Sequence, residues 1–164
     1  MSPTVRGPGP GDPGRRLALE IEPRLPASRM GVALLALAGV LLSTYLTLYK
    51  LGLVGDLVCG TGACERVQDS PWAYFLGLPV AAWGVAGYLA LLVLAVVGLQ
   101  PRFARSRGIA VLIFLASLAG VAFTAWLTYL EAAVIHAWCR WCLGSAAIIA
   151  LIFVCSIPGL RRAR

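Results

Sequence analysis

The sequence predicts an all-α membrane protein in which four helices each cross a bilayer and pack together as a bundle. Of its 164 residues, 60% are hydrophobic and only 13% are charged, whereas soluble domains are roughly 45–50% apolar. A helix needs roughly 20 consecutive apolar residues to span a membrane. Four uncharged runs are about that long or longer, and they are residues 30–49, 70–101, 108–130 and 141–160.

The positions of the basic residues indicate the topology of this bundle. The net charge is +7, with 14 basic and 7 acidic residues. If the amino terminus lies in the cytoplasm, eleven of the basic residues are inside and only Lys50, Arg66 and Arg140 are outside, as the positive-inside rule requires. Because this charge is divided between both tails and one turn, it does not form the single basic patch that would indicate a nucleic-acid partner.

The chain begins with a tail that does not resemble a membrane span. Residues 1–29 are rich in Pro, Gly and Arg, and this composition predicts a disordered basic tail in the cytoplasm. The apolar run that follows is too long for a secretory signal peptide and has no small-residue cleavage site after it. We therefore predict a membrane domain over residues 30–160, with a first helix at about 30–50 and an outer loop at 51–76.

Three further helices complete the predicted domain. The second (about 77–99) returns to the cytoplasm, where the segment QPRFARSRG forms a basic turn. The third (about 108–130) crosses outward, and the short link EAAVIHAW follows it outside. The fourth (about 139–158) returns to the cytoplasm, where Pro158 and Gly159 are expected to end it. A basic cytoplasmic tail of residues 161–164 follows.

Small residues recur at every fourth position on three of the predicted helices. Such stripes let helix backbones approach closely in lipid, where no hydrophobic drive brings helices together. We interpret them as packing surfaces. The stripes are Gly39, Ser43 and Thr47; Ala82, Ala86 and Ala90; and Ala116, Gly120, Thr124 and Thr128.

Four of the five cysteines are predicted on the outer side of the membrane, as two pairs. Cys59 and Cys64 lie in the long loop, while Cys139 and Cys142 open the fourth helix. Disulfides persist in the bacterial periplasm and in the lumen of the endoplasmic reticulum, so two pairs in one such compartment indicate a disulfide relay. The fifth, Cys155, lies deep in an apolar run, where a cysteine is normally inert.

The pair in the motif CRWC is placed for reactivity. Unpaired N–H groups and the positive end of the helix dipole meet at a helix N-terminus. We therefore expect Cys139 to have a lowered pKa and to be a good attacking and leaving group. Cys142 lies one turn deeper, about 4.5 Å nearer the bilayer core, where a lipid-soluble electron acceptor can reach it.

The loop pair flanks the uncharged segment GTGA. We expect Cys59 and Cys64 to face water, to open and close a small disulfide, and to dock with a soluble protein. Two other interpretations remain open: a static disulfide staple, and a zinc site of four cysteines, although structural zinc sites usually hold closer C-x2-C pairs. His136, the single histidine, could carry protons or merely mark the membrane interface.

Three motifs, in this order, resemble the vitamin K epoxide reductase family over about residues 50–149. The first is the loop CGTGACERVQDSPWAYFLGLPVAAWG, which resembles the paired loop cysteines of the family, followed six residues later by a serine, here Ser70, with Trp72 close behind. The second is SLAGVAFTAWLTYL on the third helix, and the third is CRWC at the start of the last helix.

The resemblance implies a four-helix bundle around a quinone, either ubiquinone or menaquinone. In that arrangement Cys142 contacts the quinone, Cys139 exchanges disulfides with Cys64, and Cys59 resolves the exchange. The outer loop would carry a short half-helix that bears Ser70 and caps the pocket, with Trp72 beside it. Bacterial members oxidise a thioredoxin-fold, DsbA-like protein, which is expected here to be a separate partner because no thioredoxin domain follows the fourth helix.

We therefore expect a disulfide-forming thiol:quinone oxidoreductase in a bacterial cytoplasmic membrane, with its active site facing the periplasm or the exterior. One alternative is vitamin K epoxide or quinone reduction in an endoplasmic reticulum, which runs the same relay in reverse. DsbB itself is disfavoured because its C-x-x-C pair lies in the first outer loop and its spaced pair in the second. An alternative of another class is a non-catalytic four-helix membrane protein whose cysteines form only structural disulfides.

Overall fold

The protein is described by a computed structural model for residues 27–55, 57, 59, 63–103 and 106–162. Five helices, two very short strands and two short helical turns make up this part of the chain. In order they are α1 (Ala27–Lys50), α2 (Ala63–Gln68), a 3₁₀ turn (Pro71–Ala73), β1 (Tyr74–Phe75), β2 (Leu78–Pro79), α3 (Val80–Leu99), α4 (Arg107–Leu130), a π-helical turn (Glu131–Ile135) and α5 (Arg140–Arg162).

The predicted all-α membrane bundle is confirmed. Within the described ranges, α1, α3, α4 and α5 are each long and apolar enough to cross a membrane. Many of their large apolar side chains remain exposed on the outward faces, including Leu34, Leu41 and Val154. An exposed apolar surface of this extent suits lipid rather than water as the surrounding solvent.

The bundle is held together by contacts of α1 with α3 and α5, and of α4 with the same two helices. Its main core is composed of Val32, Ala36, Tyr88, Leu91, Ala95, Ile113, Ile149 and Ile152. Tyr88 also links α3 to α5, because its hydroxyl donates a hydrogen bond of 2.7 Å to the backbone oxygen of Ser145. The polar end of a buried tyrosine is thereby satisfied inside an apolar core.

Small residues permit close helix contacts, but only part of the predicted pattern is used in this way. A Cβ atom at Gly39 would overlap the ring of Tyr88, and one at Gly120 would lie 2.8 Å from Ile149 Cγ1. On α3, however, Ala86 and Ala90 are exposed, so the interpretation of that stripe as a packing surface is wrong. Because the Tyr88 ring fills the space beside Gly39, α3 turns the Tyr88 face toward the core instead.

The start of α1 differs from the boundary expected from the sequence. Residues 27–29, assigned to the tail, form the first turn of the helix. Buried Arg29 donates hydrogen bonds to the backbone oxygens of Gly98 (2.8 Å), Phe103 (3.1 Å) and Ser106 (3.3 Å). These bonds satisfy a charged side chain near the membrane, and they tie α1 to the turn between α3 and α4. The rest of the predicted tail lies outside the described residues.

The end of α5 corrects another expectation. Pro158 was expected to end the last helix, yet the helix continues through it to Arg162. Proline removes one backbone N–H donor and disfavours the preceding turn, but neighbouring helices and side chains in a membrane bundle can compensate for the loss. Two residues of the predicted tail 161–164 are therefore helical, and the last two lie outside the described part.

The second spanning helix begins at Val80, three residues later than predicted. A tight hairpin precedes it, in which Tyr74 pairs with Pro79 and Phe75 pairs with Leu78. Leu76 and Gly77 form the turn with positive φ values of 52° and 80°. Such backbone angles favour glycine and do not continue into a right-handed helix, so the helix cannot begin before the hairpin ends.

Candidate functional site

The loop cysteines lie on and beside the short helix α2, at the end of the bundle where α1 finishes and α5 begins. Cys59 and Cys64 are joined by a disulfide, with their Cα atoms 6.1 Å apart. Both are almost completely buried, with 3% and 0% of their surface exposed. The expectation that they face water is therefore wrong in this structure, because α2 turns Cys64 and Val67 toward the bundle.

Three of the four relay candidates belong to one buried cluster. Cys59, Cys64 and Cys139 pack with Leu57, Val67, Leu46 and Ala137, and Cys142 lies against the edge of the same cluster. Cys139 and Cys142 are free thiols. The fold therefore brings the two sequence-predicted pairs together, one oxidised and one reduced, in a region from which water is largely excluded.

The side chain of Lys50, at the end of α1, holds the loop in this position. Its ammonium group donates a hydrogen bond to the backbone oxygen of Gln68 and forms an ion pair of 3.2 Å with Asp69. The same group lies 5.1 Å from the centre of the Tyr74 ring. The exposed ion pair itself adds little stability, but together these contacts fix the end of α2 and the start of the hairpin relative to α1.

Cys139 caps the helix that carries Cys142. The Cys139 sulfur accepts a hydrogen bond of 3.3 Å from the backbone N–H of Cys142, which is one of the donors left free at a helix N-terminus. Hydrogen bonds from the Cys142 thiol and from this N–H lower the pKa of the Cys139 thiol, against the opposing effects of burial and of the nearby Glu131. Cys139 thus has the electrostatic environment of a reactive cysteine.

A cavity of about 260 Å³ opens beside Cys142, between the four spanning helices. Its wall is mostly apolar, with a few polar groups, which is the usual composition of a site for a small organic molecule. The stripe Ala116, Gly120, Thr124 and Thr128 lines this cavity. Those small side chains therefore leave room for a ligand, in addition to the close contact of Gly120 with α5.

Ser70 and Trp72 both border the cavity. Ser70 is not on the half-helix α2, as the resemblance implied, but follows it and precedes the 3₁₀ turn. Its hydroxyl donates a hydrogen bond of 2.7 Å to the backbone oxygen of Val67. This bond closes the turn between α2 and Trp72, so Ser70 also helps to shape the cavity roof.

Two polar residues at the cavity were missed from the sequence. Gln68 at the end of α2 is buried and points its Nε2 atom at the Cys142 sulfur, at 3.8 Å. Glu131 opens the π-helical turn and is only 3% exposed. No local pattern singles out Gln68, whereas an acidic residue at the end of an otherwise uncharged span is a recognisable signal of function.

The remaining two candidates lie away from this cavity. His136 is exposed and ends the π-helical turn in a left-handed conformation, with φ of 51°, a conformation in which His is enriched. Cys155 packs against the main core on α5.

A multi-pass membrane protein with two neighbouring cysteine pairs, one of which reaches an apolar cavity through Cys142, has the construction of a membrane thiol–disulfide oxidoreductase. The family comparison agrees with this class, because the model of the vitamin K epoxide reductase family matches residues 30–157. The match covers most of the chain, so the protein belongs to the vitamin K epoxide reductase family, as the sequence motifs predicted. Membership makes it an oxidoreductase of a family that uses quinones.

Proposed function

We propose that this protein forms disulfides in a separate thioredoxin-fold, DsbA-like partner and passes the electrons to a membrane quinone. The observation that carries the proposal is the arrangement of the cysteines. A disulfide, Cys59–Cys64, is buried in one cluster with Cys139, and Cys142 borders the apolar cavity. Electrons can thus enter at the loop and leave at the cavity.

The relay consists of thiol–disulfide exchanges in which each attacking sulfur is a thiolate. A reduced partner first opens Cys59–Cys64 and becomes oxidised. The Cys64 thiolate then attacks the Cys139–Cys142 disulfide at Cys139, which releases Cys142. Cys59 next attacks Cys64, closes the loop disulfide and releases Cys139, whose lowered pKa makes it a good leaving group.

The cavity is suited to a quinone ring. Its apolar wall matches an apolar ring, and Gln68 and Ser70 supply polar groups at its outer end, while Trp72 borders it from the roof. When bound there, ubiquinone or menaquinone would accept the two electrons of the Cys139–Cys142 pair. The residues that α2 and the 3₁₀ turn place above the cavity would keep water away from that electron transfer.

The proposed location is a bacterial cytoplasmic membrane, with both termini in the cytoplasm and the cysteines facing the periplasm or exterior. The charge distribution supports this orientation, since Lys50, Arg66 and Arg140 are the only basic residues at the cysteine end. An oxidising compartment on that side would supply partners whose cysteines need to be paired.

Complementation of a bacterial strain that lacks its disulfide oxidase tests the proposal. We expect the native protein to restore disulfides in periplasmic proteins, and Cys142→Ala to fail at equal expression. The purified protein should also contain quinone, which its ultraviolet absorbance would reveal. Normal expression without complementation and without quinone would instead favour a protein whose cysteines are only structural.

A further inference from the structure

Glu131 is an acidic group at the cavity that the exchange steps above do not use. It follows α4 directly and begins a π-helical turn, and its side chain is buried. Single π-helical turns are rare and often occur at functional sites. Burial of a carboxyl group is costly without hydrogen-bonding partners, so its position beside the cavity calls for an explanation.

The carboxyl group is bonded to the residue that caps the helix of Cys142. Its Oε2 atom accepts a hydrogen bond of 3.1 Å from the backbone N–H of Cys139, and the Cys139 sulfur in turn accepts one from the backbone N–H of Cys142. Glu131 and Cys142 line the same cavity. A proton can therefore pass between the Cys142 sulfur, this carboxyl and a molecule bound in the cavity that both residues line.

Few other groups in the described part of the chain could exchange a proton at this point. From α2, Gln68 faces the cavity but cannot carry charge. From α3, the Tyr88 hydroxyl is engaged with Ser145 on α5. His136 and Arg140 are exposed on the outer side. The titratable groups that meet Glu131 are thus Cys139 and Cys142 themselves.

The proposed quinone reaction needs a group of this kind. When the pair is oxidised, two S–H bonds break, one S–S bond forms, and two electrons and two protons go to the quinone. A thiolate is the form that gives up electrons readily, so the Cys142 proton has to leave the sulfur and arrive at a quinone oxygen. In an apolar cavity, water is not freely available to carry it.

We infer that Glu131 is the proton carrier between Cys142 and the quinone, an inference that rests on the proposed function. As a carboxylate it takes the Cys142 proton, and as a carboxylic acid it gives that proton to a quinone oxygen and returns to its starting form. The second proton comes from the Cys139 thiol or, where that thiol is already ionised, from water at the outer surface. Atoms and electrons balance, and Glu131 undergoes no net change.

A purely structural role for Glu131 makes a different prediction. If the carboxyl served only to hold the Cys139 backbone, glutamine would replace it well, because a side-chain amide oxygen also accepts a hydrogen bond. Glutamine cannot carry a proton. Glu131→Asp keeps the carboxylic acid on a shorter side chain. Glu65→Gln on α2 repeats the glutamate-to-glutamine change at a residue that does not line the cavity.

The experiment uses full-length protein, purified without quinone and reduced with dithiothreitol that is then removed. Reduction of added decylubiquinone is followed by absorbance under anaerobic conditions. We expect Glu131→Gln to slow it by about 100-fold, the size of a typical general acid–base contribution, and Glu131→Asp to recover much of the rate. Glu65→Gln should remain within about twofold of the native rate, because general acid–base catalysis requires a group within reach of the proton.

A second readout needs no quinone. The rate of Cys139 alkylation by iodoacetamide, followed by mass spectrometry, is measured against pH in the native protein and in Glu131→Gln. Since the carboxylate raises the pKa of the Cys139 thiol, its removal should lower the pH at which alkylation reaches half its maximal rate. Glu65→Gln should leave the midpoint unchanged.

Two results would overturn the inference. One is a Glu131→Gln protein that reduces decylubiquinone within about twofold of the native rate, given the size expected of a proton carrier. The other is an unchanged alkylation midpoint, which would show that the carboxyl does not sense the thiol protons. If the native protein reduced no decylubiquinone, the proposed function would fail, and the midpoint alone would decide whether Glu131 exchanges protons with the thiols.

An infrared measurement keeps the test open if Glu131→Gln does not fold. In native protein labelled with ¹³C-glutamate, time-resolved spectra recorded while decylubiquinone oxidises the cysteine pair should show a transient carboxylic-acid band that shifts with the label. Absence of any labelled band would overturn the inference without a variant.

Discussion

The Cys139 sulfur accepts a hydrogen bond of 3.3 Å from the backbone N–H of Cys142, so one cysteine of the pair caps the helix that carries the other. The capping residue, Cys139, is fully buried, whereas Cys142 is partly exposed at the cavity. The two sulfurs are therefore not simply ordered by depth, with Cys139 toward water and Cys142 toward lipid. Cys139 meets the loop disulfide, and Cys142 meets the cavity.

This cap predicts the pH dependence of Cys139. Because the pKa of its thiol is lowered, mainly by the hydrogen bond from the Cys142 thiol, the reduced protein should hold Cys139 as a thiolate at pH values where a free cysteine, with a pKa of about 8.5, is protonated. Alkylation of Cys139 should therefore reach half its maximal rate below about pH 8.5.

Cys142→Ala provides the comparison for that measurement. It removes the thiol donor, so the alkylation midpoint should rise toward the ordinary range. Equal midpoints in native, variant and denatured protein would contradict the role of the cap.

The cysteine outside the relay makes a contrasting prediction. Cys155 packs against the main core on α5 and does not line the large cavity. Cys155→Ala should therefore leave partner oxidation within about twofold of the native rate, although removal of a partly buried side chain costs some stability. A loss of quinone reduction at normal expression would show that Cys155 takes part in the reaction.

Helix packing can be tested with a pair of glycines on α1. A methyl group at Gly39 would overlap the Tyr88 ring, whereas nothing lies within 4 Å of a Cβ atom at Gly31. Gly39→Ala should lower the free energy of unfolding in detergent by about 1–3 kcal/mol, the usual cost of overpacking. Gly31→Ala is the control and should cause no loss, so equal stability of the two variants would argue against close packing of α1 on α3.

The proposed topology places Ser106 in the cytoplasm and the relay cysteines outside. A membrane-impermeant maleimide applied to intact cells should label Leu76→Cys, at the 77%-exposed turn of the hairpin that follows α2. In a variant that also carries Ser106→Cys, this new position should remain unlabelled until the cells are broken. Labelling of Ser106→Cys in intact cells would invert the topology and, with it, the compartment of the proposed reaction.

The sequence predicted the four spanning helices because uncharged runs of this length have few other stable structures. It was less informative where tertiary contacts determine a boundary. Arg29 extends α1 by binding backbone oxygens 69 or more residues away, and Pro158 is accommodated inside α5. Neither effect can be inferred from local composition.

The candidate site was predicted in its chemistry and only partly in its geometry. The spacing of the cysteines and the motif CRWC identify the two pairs, but burial of Cys59 and Cys64 depends on how α2 folds against the bundle. Gln68 reaches Cys142 across 74 positions of sequence, a relationship that no local pattern contains. Glu131 could have been noticed, because an acidic residue at the end of an uncharged span is unusual.

The relay itself is tested most directly by removal of its resolving cysteine. Thiol–disulfide exchange passes through a mixed disulfide, so Cys59→Ala should stop the relay with Cys64 bonded to Cys139. Mass spectrometry of a non-reducing digest, taken during turnover with a reduced partner, would identify the crosslinked peptides, and Cys155→Ala serves as a control that also lacks one cysteine. The account predicts that the Cys64–Cys139 crosslink accumulates only in Cys59→Ala. Full partner-oxidising activity in that variant, with no such crosslink, would contradict the account and leave the loop pair as a structural disulfide.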